Sequence, residues 1–142
     1  MANMRYKQSA ALAYRIKKGK LRFLLVTTTN RKRWVPPKGM VDRGLTASQS
    51  AAKEAYEEAG VVGKIEKKPI GAYVYQKWGA DCDVKVYLLR VKDVLDKFPE
   101  RHVRQREWMS PRVAAALVKE PELRRIIRRA TKQLKAEAKK KD

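Results

Sequence analysis

The hydrophobic pattern near the start of the chain predicts two β-strands. Residues 10–16 and 21–28 are short apolar runs rich in strand-forming side chains, and the basic segment between them contains Gly19. Two such runs separated by a short glycine-containing segment are typical of a β-hairpin. Later apolar runs predict strands at 65–78, as one long strand or a strand pair, at 83–94 and at 104–109.

The next predicted element is a helix with clear signals at both ends. Thr46 and Gln49 have the spacing of a capping box, in which each side chain satisfies a backbone N–H of the other residue. We expect the helix to continue through Ala59 and to end at Gly60, which suits a left-handed C-terminal cap. Small residues recur on one side of this helix and predict close packing at Ala47, Ala51, Ala55 and Ala59.

Two more helices are predicted after the last strand. Pro111, preceded by Ser110, begins a short helix that runs through Val118, because proline fits the first helical position. Residues 121–138 predict a basic helix whose apolar face is formed by Leu123, Ile126, Ile127, Ala130 and Leu134. The order of strands, one helix, strands and two helices predicts an α+β fold, and 142 residues suit a single domain, 1–142.

The composition adds one unusual property, a formal charge of +20. Such a surface attracts polyanions, whether nucleic acids, phosphorylated metabolites or anionic lipid. Cys82 is the only cysteine, which excludes an internal disulfide and a cysteine-ligated metal cluster. The N-terminal residues do not resemble a signal peptide, and no apolar run approaches the roughly 18 residues of a membrane span. We therefore expect a soluble, cytoplasmic protein with no membrane partner.

Three acidic residues are concentrated at the end of the first predicted helix. Glu54, Glu57 and Glu58 are three and four residues apart and should share a helix face. Clustered carboxylates repel one another unless a cation lies between them, and Mg²⁺ prefers oxygen ligands of this kind. The alternative is a solvated face whose acids pair with neighbouring lysines, which is common on surface helices.

The segment from Gly39 to Val61 resembles a Nudix box, whose pattern is G-x5-E-x7-R-E-U-x-E-E-x-G-U with U an apolar residue. The first position and the four last invariant ones match, at Gly39, Glu54, Glu57, Glu58 and Gly60. The preceding Trp34-x-x-Pro37-Lys38 is also similar to the family's approach to the box. The segment 104–109 resembles a strand of the diphosphoinositol polyphosphate phosphohydrolase branch. The resemblance implies an α/β/α sandwich with a mixed sheet and a loop–helix–loop metal site.

The same resemblance implies roles for individual residues. Glu54, Glu57 and Glu58 would be the catalytic metal ligands for Mg²⁺, with Mn²⁺ as a substitute, and the Gly39 carbonyl would be a further ligand. The expected substrate-binding cations are Lys38, Arg33, Lys18, Arg104 and Arg106. Two box positions depart from the pattern, Leu45 in place of glutamate and Lys53 in place of arginine, so an apolar contact is expected where the family has a polar pairing.

The implied function is Mg²⁺-dependent hydrolysis of a phosphoanhydride bond in a highly anionic small molecule. Diphosphoinositol polyphosphates, (di)nucleoside polyphosphates and the 5′ end of RNA all fit this description. Four aromatic residues are expected in the core rather than against a nucleobase: Trp34, Tyr73, Tyr75 and Trp78. The alternatives are a non-catalytic, basic nucleic-acid-binding protein and a degenerate Nudix domain that binds its ligand without hydrolysis. The oligomeric state stays open.

Overall fold

The computed structural model describes residues 4–140 and contains one eight-stranded sheet. Strand β1 (Arg5–Lys17) lies inside this sheet. The other strands are β2 (Lys20–Thr27), β3 (Trp34–Val35), β4 (Lys38–Met40), β5 (Val61–Ile65), β6 (Gly71–Lys77), β7 (Ala80–Val94) and β8 (Arg106–Met109). The helices are α1 (Ala47–Glu54), which continues as a π-helical segment (Ala55–Ala59), α2 (Pro111–Leu117) and α3 (Pro121–Lys140).

The sheet is mixed because β1 pairs in parallel with β7 and antiparallel with β2 and β4. Alternate residues of β1 face opposite sides of the sheet. Leu12 belongs to the core cluster that also contains α2 and α3, whereas Ala11 and Ala13 face α1. The helices therefore cover both faces, and the predicted α/β/α sandwich is the observed architecture.

The predicted hairpin is present, with β1 and β2 joined at Lys18 and Gly19. Of the two alternatives for 65–78, one long strand is wrong and two strands are present, with bounds that differ from the prediction because β5 ends at Ile65 and β6 begins at Gly71. The interruption contains Pro69, which has no backbone N–H to donate to a strand ladder. Both strands pair with β7, which begins at Ala80 rather than at 83, and β8 begins at 106 rather than at 104.

The helix signals are confirmed in detail. The Thr46 hydroxyl accepts the Gln49 N–H at 3.1 Å, and the Gln49 side chain accepts the Thr46 N–H at 2.9 Å. Gly60 ends the helical region with φ 65°, in the left-handed conformation. The last helix extends to Lys140, two residues beyond the predicted bound. Within residues 4–140, no helix combines the length and apolar character that a bilayer crossing requires.

Candidate functional site

The helix that carries the acidic cluster is held close to the sheet by small side chains. Ala51, Ala55 and Ala59 are fully buried and pack against apolar residues of β1, β2 and β7. This confirms the predicted alanine stripe. Because alanine keeps the helix close to the sheet, the acidic residues lie beside β4 rather than out in solvent.

The last turn of this helix is π-helical rather than α-helical. Residues Ala55–Ala59 follow α1 directly and carry two of the three glutamates, Glu57 and Glu58. Single π-turns inside helices widen the backbone, and they occur frequently at functional sites. The spacing of the acidic residues around the axis therefore differs from that of a regular α-helix.

The carboxylate of Glu54 lies against the backbone of Gly39 in β4. A Cβ atom at position 39 would be only 2.5 Å from the carboxyl carbon of Glu54, so this close approach requires glycine. Glu54 is half-buried, and its pKa is raised by burial and next by the neighbouring carboxylate of Glu57. Gly39 and Glu54, two positions of the sequence pattern that are 15 residues apart, are thus in direct contact in the fold.

Glu58 is the most deeply buried of the three acidic residues, with 6% of its surface exposed. Its carboxylate accepts the Lys38 backbone N–H at 3.1 Å and lies 3.3 Å from the Arg104 guanidinium. Burial raises the pKa of Glu58 to about 8, the charge of Arg104 opposes this rise, and the nearby Glu54 carboxylate adds to it. Burial is therefore the main reason that the Glu58 carboxyl group holds its proton more tightly than a solvated one.

Glu57 is turned toward a neighbouring lysine. Its carboxylate is 3.7 Å from Lys53 Nζ, and the same ammonium group is 2.7 Å from Asp42 in the preceding loop. Leu45, the residue at the box glutamate position, is 38% exposed. The prediction that an apolar contact replaces the polar pairing at positions 45 and 53 is therefore wrong. A polar pairing is retained, with the acid supplied from three residues earlier in the loop.

The prediction that all three carboxylates converge needs a correction. Within residues 4–140, no three His, Cys, Asp or Glu side chains are already grouped as a metal-binding set. Glu57 also pairs with Lys53, at 3.7 Å, whereas the Glu54 carboxylate lies beside Gly39 and interacts with both Glu57 and Glu58.

The residues present nevertheless fit a hard divalent cation. Glu54 and Glu58 supply carboxylate oxygens, and the absence of a side chain at Gly39 lets the Glu54 carboxylate lie against the backbone of β4. The hydroxyl of Ser9, which pairs with Gly39 across β1 and β4, is buried and has no hydrogen-bond partner within the described chain. Oxygen donors of this kind suit Mg²⁺, which keeps several waters among its ligands.

A cleft of about 280 Å³ opens beside Glu58. Its walls come from β4, the β6–β7 hairpin and the segment before β8. The lining includes Gln8, Thr28, Lys38, Gly39, Glu58, Tyr75, Lys77, Trp78 and Arg104. A concave surface with several cations beside a carboxylate pair can bind an anion that is bridged to the carboxylates by a metal ion.

Lys38 and Arg104 are the two predicted substrate-binding cations in this cleft. Burial lowers the pKa of Lys38, with the Glu58 charge acting in the opposite direction, and its ammonium lies 5.1 Å from the Tyr75 ring centre. Arg104 donates to Glu58, to Glu100 and to the Thr27 carbonyl. One of its five N–H groups therefore contacts Glu58, two others fix the guanidinium against Glu100 and Thr27, and the remaining two make no hydrogen bond within residues 4–140.

The other three predicted cations have different positions. Lys18 lies in the β1–β2 turn, nine residues from Ser9, which pairs with Gly39, or roughly 30 Å away along an extended strand. The prediction that Lys18 binds substrate at this site is therefore wrong, since strand pairing separates it from Gly39. Arg33 reaches Glu120 at 3.8 Å, and Arg106 donates to the Ala59 and Gly60 carbonyls at the end of the π-helical segment.

Several lining residues were not predicted. Trp78 was expected in the core but is 70% exposed, with φ 54° at the tip of the β6–β7 hairpin. The dipeptide Trp78-Gly79 was a usable signal, because glycine marks a turn and turns lie at the surface. Tyr73 is buried as expected, and Trp34 and Tyr75 pack partly against the core. Gln8 had no signal, since only strand pairing brings it here.

Comparison with known proteins agrees with this arrangement. A family model of the NUDIX domain matches residues 6–130. Nudix hydrolase 12, mitochondrial, from Arabidopsis thaliana is 32% identical over 106 residues, which are 69% of this chain and 52% of that protein. Nudix hydrolase 13, mitochondrial, from the same plant is 32% identical over 108 residues, 69% of this chain and 54% of that protein. The chain spans about half the length of the curated relatives that it matches.

Solved structures share the fold over nearly the whole chain. A crystal structure of Ap4A hydrolase from C. elegans superimposes with a TM-score of 0.76 and 27% identity, covering 92% of this chain and 99% of that one. The NUDIX domain of Shewanella oneidensis NrtR, solved with ADP ribose, has a TM-score of 0.73 at 16% identity, covering 94% and 90%. With the domain match and the box glutamates placed beside Gly39, the conclusion follows that this chain belongs to the Nudix family.

Proposed function

We propose that this chain is a metal-dependent hydrolase that cleaves a phosphoanhydride bond in a polyanionic small molecule. The observation that carries the proposal is the buried Glu58 next to Glu54, both beside Gly39 at the edge of a cationic cleft. Keeping a buried carboxylate near a second one is costly unless a cation compensates them. A protein of charge +20 gains nothing for solubility from such a pair.

Glu54 and Glu58 would hold Mg²⁺ or Mn²⁺, with Glu57 and the Gly39 carbonyl as further ligands. When bound, such an ion polarises a phosphoryl oxygen and lowers the pKa of water. Arg104 would keep the Glu58 carboxylate in place through one hydrogen bond of 3.3 Å, while its bonds to Glu100 and Thr27 fix the guanidinium. Lys53 keeps Asp42 and Glu57 together and so fixes the loop that precedes α1.

Substrate binding would fall to the cations of the cleft. Lys38 is half-buried and faces the cleft, where its ammonium group would bind a non-bridging phosphate oxygen. Lys77 and the two unused N–H groups of Arg104 would neutralise a second phosphate. Positioning and charge neutralisation provide most of the acceleration in phosphoryl transfer, so these groups have the chemistry that the reaction requires.

Among the expected substrates, a dinucleoside polyphosphate has the most support. The C. elegans protein named Ap4A hydrolase is 27% identical to this chain. Trp78 exposes a large aromatic surface at the mouth of the cleft. Stacking a base on an aromatic side chain stabilises binding by about 1–3 kcal/mol, and a diphosphoinositol polyphosphate offers no base. The 5′ end of RNA also has a base and belongs in the same comparison.

The metal assignment is tested by Glu54→Gln and Glu58→Gln. Each should lower kcat by at least about 100-fold in a phosphate-release assay with Mg²⁺, the scale of losing one electrostatic group at an active site. The matched control is Glu122→Gln, an exposed acid on α3 whose loss should leave the rate unchanged. Calorimetric titration with Mn²⁺ should give weaker binding in the two site variants. Near-normal turnover in both variants, with the fold intact by thermal melting, would refute the assignment.

The substrate class is tested with Trp78→Ala. We expect KM for diadenosine tetraphosphate to rise at least about fivefold, the lower limit of one stacking interaction, whereas KM for inorganic tripolyphosphate should stay unchanged. The same panel should include a diphosphoinositol polyphosphate and a 5′-triphosphorylated RNA. Equal effects on the substrates with and without a base would contradict the stacking role, and turnover of none of them would contradict the hydrolase proposal itself.

A further inference from the structure

A second and larger cleft lies between α2 and α3. It has a volume of about 680 Å³, and its walls contain four cations and no acidic residue. The four cations are Arg112 on α2 and Arg124, Arg128 and Lys135 on α3. Three small side chains also line the cleft: the buried Ala115, which lies at its floor, the half-buried Thr131 and the exposed Ala116.

The cations of this cleft are not used to hold the fold together, with one exception. Arg124 donates to the Val118 carbonyl at the end of α2, at 3.2 Å. Within residues 4–140, no salt bridge involves Arg112, Arg128 or Lys135. Like charges placed around one cavity without acidic partners destabilise a free protein, so the arrangement suits an anionic ligand.

The cleft is independent of the carboxylate site. Helices α2 and α3 pack on the sheet face that carries Leu12, whereas α1 packs on the face that carries Ala11 and Ala13. The carboxylate helix and the second cleft therefore lie on opposite faces of the sheet, and the two clefts share no lining residue.

The shape of the cleft favours one class of polyanion. Arg124, Arg128 and Lys135 recur at positions i, i+4 and i+11, so they form one stripe about 16 Å long on α3. Neighbouring packed helices are about 8–10 Å apart, which leaves a furrow too narrow for a duplex. A flat membrane surface would touch the rims and not the floor. A single flexible chain of phosphodiesters can lie along the stripe and meet its cations in turn.

From these observations, we infer that the α2–α3 cleft binds the phosphate backbone of a single-stranded nucleic acid, on the sheet face opposite the carboxylate helix. The binding is electrostatic and independent of sequence. Each phosphate contact releases counterions, so the affinity falls as salt rises, with a slope of about 0.7 per contact for single strands.

The test compares two double variants of α3. Arg128→Ala with Lys135→Ala removes two cations of the cleft. Arg125→Ala with Lys132→Ala removes the same residue types at the same spacing, but neither of these residues lines the cleft. Fluorescence anisotropy should measure binding of a labelled single-stranded RNA of about twelve nucleotides, between about 50 and 200 mM salt. The RNA should carry a 5′-hydroxyl end, so that it offers no anhydride to the carboxylate site.

We expect the cleft variant to bind about 25-fold more weakly at roughly 0.1 M salt and to lose about 1.4 from the salt slope. The control variant should change affinity by less than about threefold, because exposed charges outside the contact are screened. Hydrolysis of diadenosine tetraphosphate should be the same in both variants, so RNA binding and the proposed catalysis are scored separately.

Three outcomes would overturn the inference. Equal weakening in both variants would mean that RNA binds to diffuse charge and not to the cleft. Absence of RNA binding by the unmodified protein at roughly 0.1 M salt would mean that the cleft has no such ligand. Unchanged RNA binding in the cleft variant, with loss of binding to vesicles that contain phosphatidylserine, would assign the cleft to a membrane surface.

Discussion

Replacing Gly39 with alanine should impair catalysis while leaving the fold intact. The backbone of Gly39 has no positive φ, so alanine is sterically allowed there and the new methyl group alone carries the effect. That methyl group would lie 2.5 Å from the carboxyl carbon of Glu54. Carbon atoms in contact prefer a separation of about 3.5–4.0 Å, so the Glu54 carboxylate must move by about 1 Å or more.

The size of the effect follows from this displacement. A misplacement of about 1 Å at a reacting centre costs on the order of 100-fold in rate. This corresponds to about 2.7 kcal/mol of transition-state stabilisation. The free energy of unfolding should not fall, because glycine loses more conformational freedom on folding than alanine does. This difference favours alanine in a strand by roughly 0.5–1 kcal/mol. Activity and stability are thus expected to change in opposite directions.

The assay is a double-mutant cycle of Gly39→Ala with Glu54→Ala, read as kcat/KM for diadenosine tetraphosphate with Mg²⁺. Removing the Glu54 carboxylate leaves space for the methyl group, so the second substitution should add little to the first. Thermal melting of all four proteins without metal supplies the stability readout. Affinity for Mn²⁺ from calorimetry should fall in both single variants.

Two results would refute the reasoning. If Gly39→Ala kept kcat/KM within about threefold of the original protein, the position of Glu54 would not limit catalysis. If the two substitutions were fully additive, the methyl group would act through something other than Glu54.

Two further predictions concern stability. Gly60→Ala should lower stability by more than 2 kcal/mol or so, because it combines a left-handed φ with a clash against Phe98 and Arg106. In Gly19→Ala, which has the same kind of φ and open space, the loss in urea unfolding should be only about 1 kcal/mol. Because burial raises the pKa of Glu58 to about 8, the unfolded chain releases this proton first, and metal-free stability should fall as pH rises from 4.5 to 8. Glu58→Gln should remove this pH dependence of the free energy of unfolding, which is on the order of 4 kcal/mol. The measurement is thermal melting of the original protein and the variant as a function of pH, and parallel pH profiles of the two proteins would contradict the prediction.

Much of the candidate site could be predicted from the sequence because its signals are local. The capping box at Thr46, the glycine cap at Gly60 and the alanine stripe depend on spacings within one helix. Each of these is observed as predicted. The strand bounds were less predictable, since Pro69 and the pairing partner decide where β5 ends and β6 begins.

The sequence by itself determined the residue types of the metal site and the helix that carries them. Only the tertiary structure decided which distant segments join them. Arg104 reaches Glu58 across 46 residues, and the β6–β7 hairpin brings Trp78 to the same cleft. The same strand pairing places Lys18 roughly 30 Å away, although it is a lysine like Lys38. The physical reason is that the periodicity of a helix is local and can be recognised in the sequence, whereas the register of a strand depends on partner strands that are distant in the sequence.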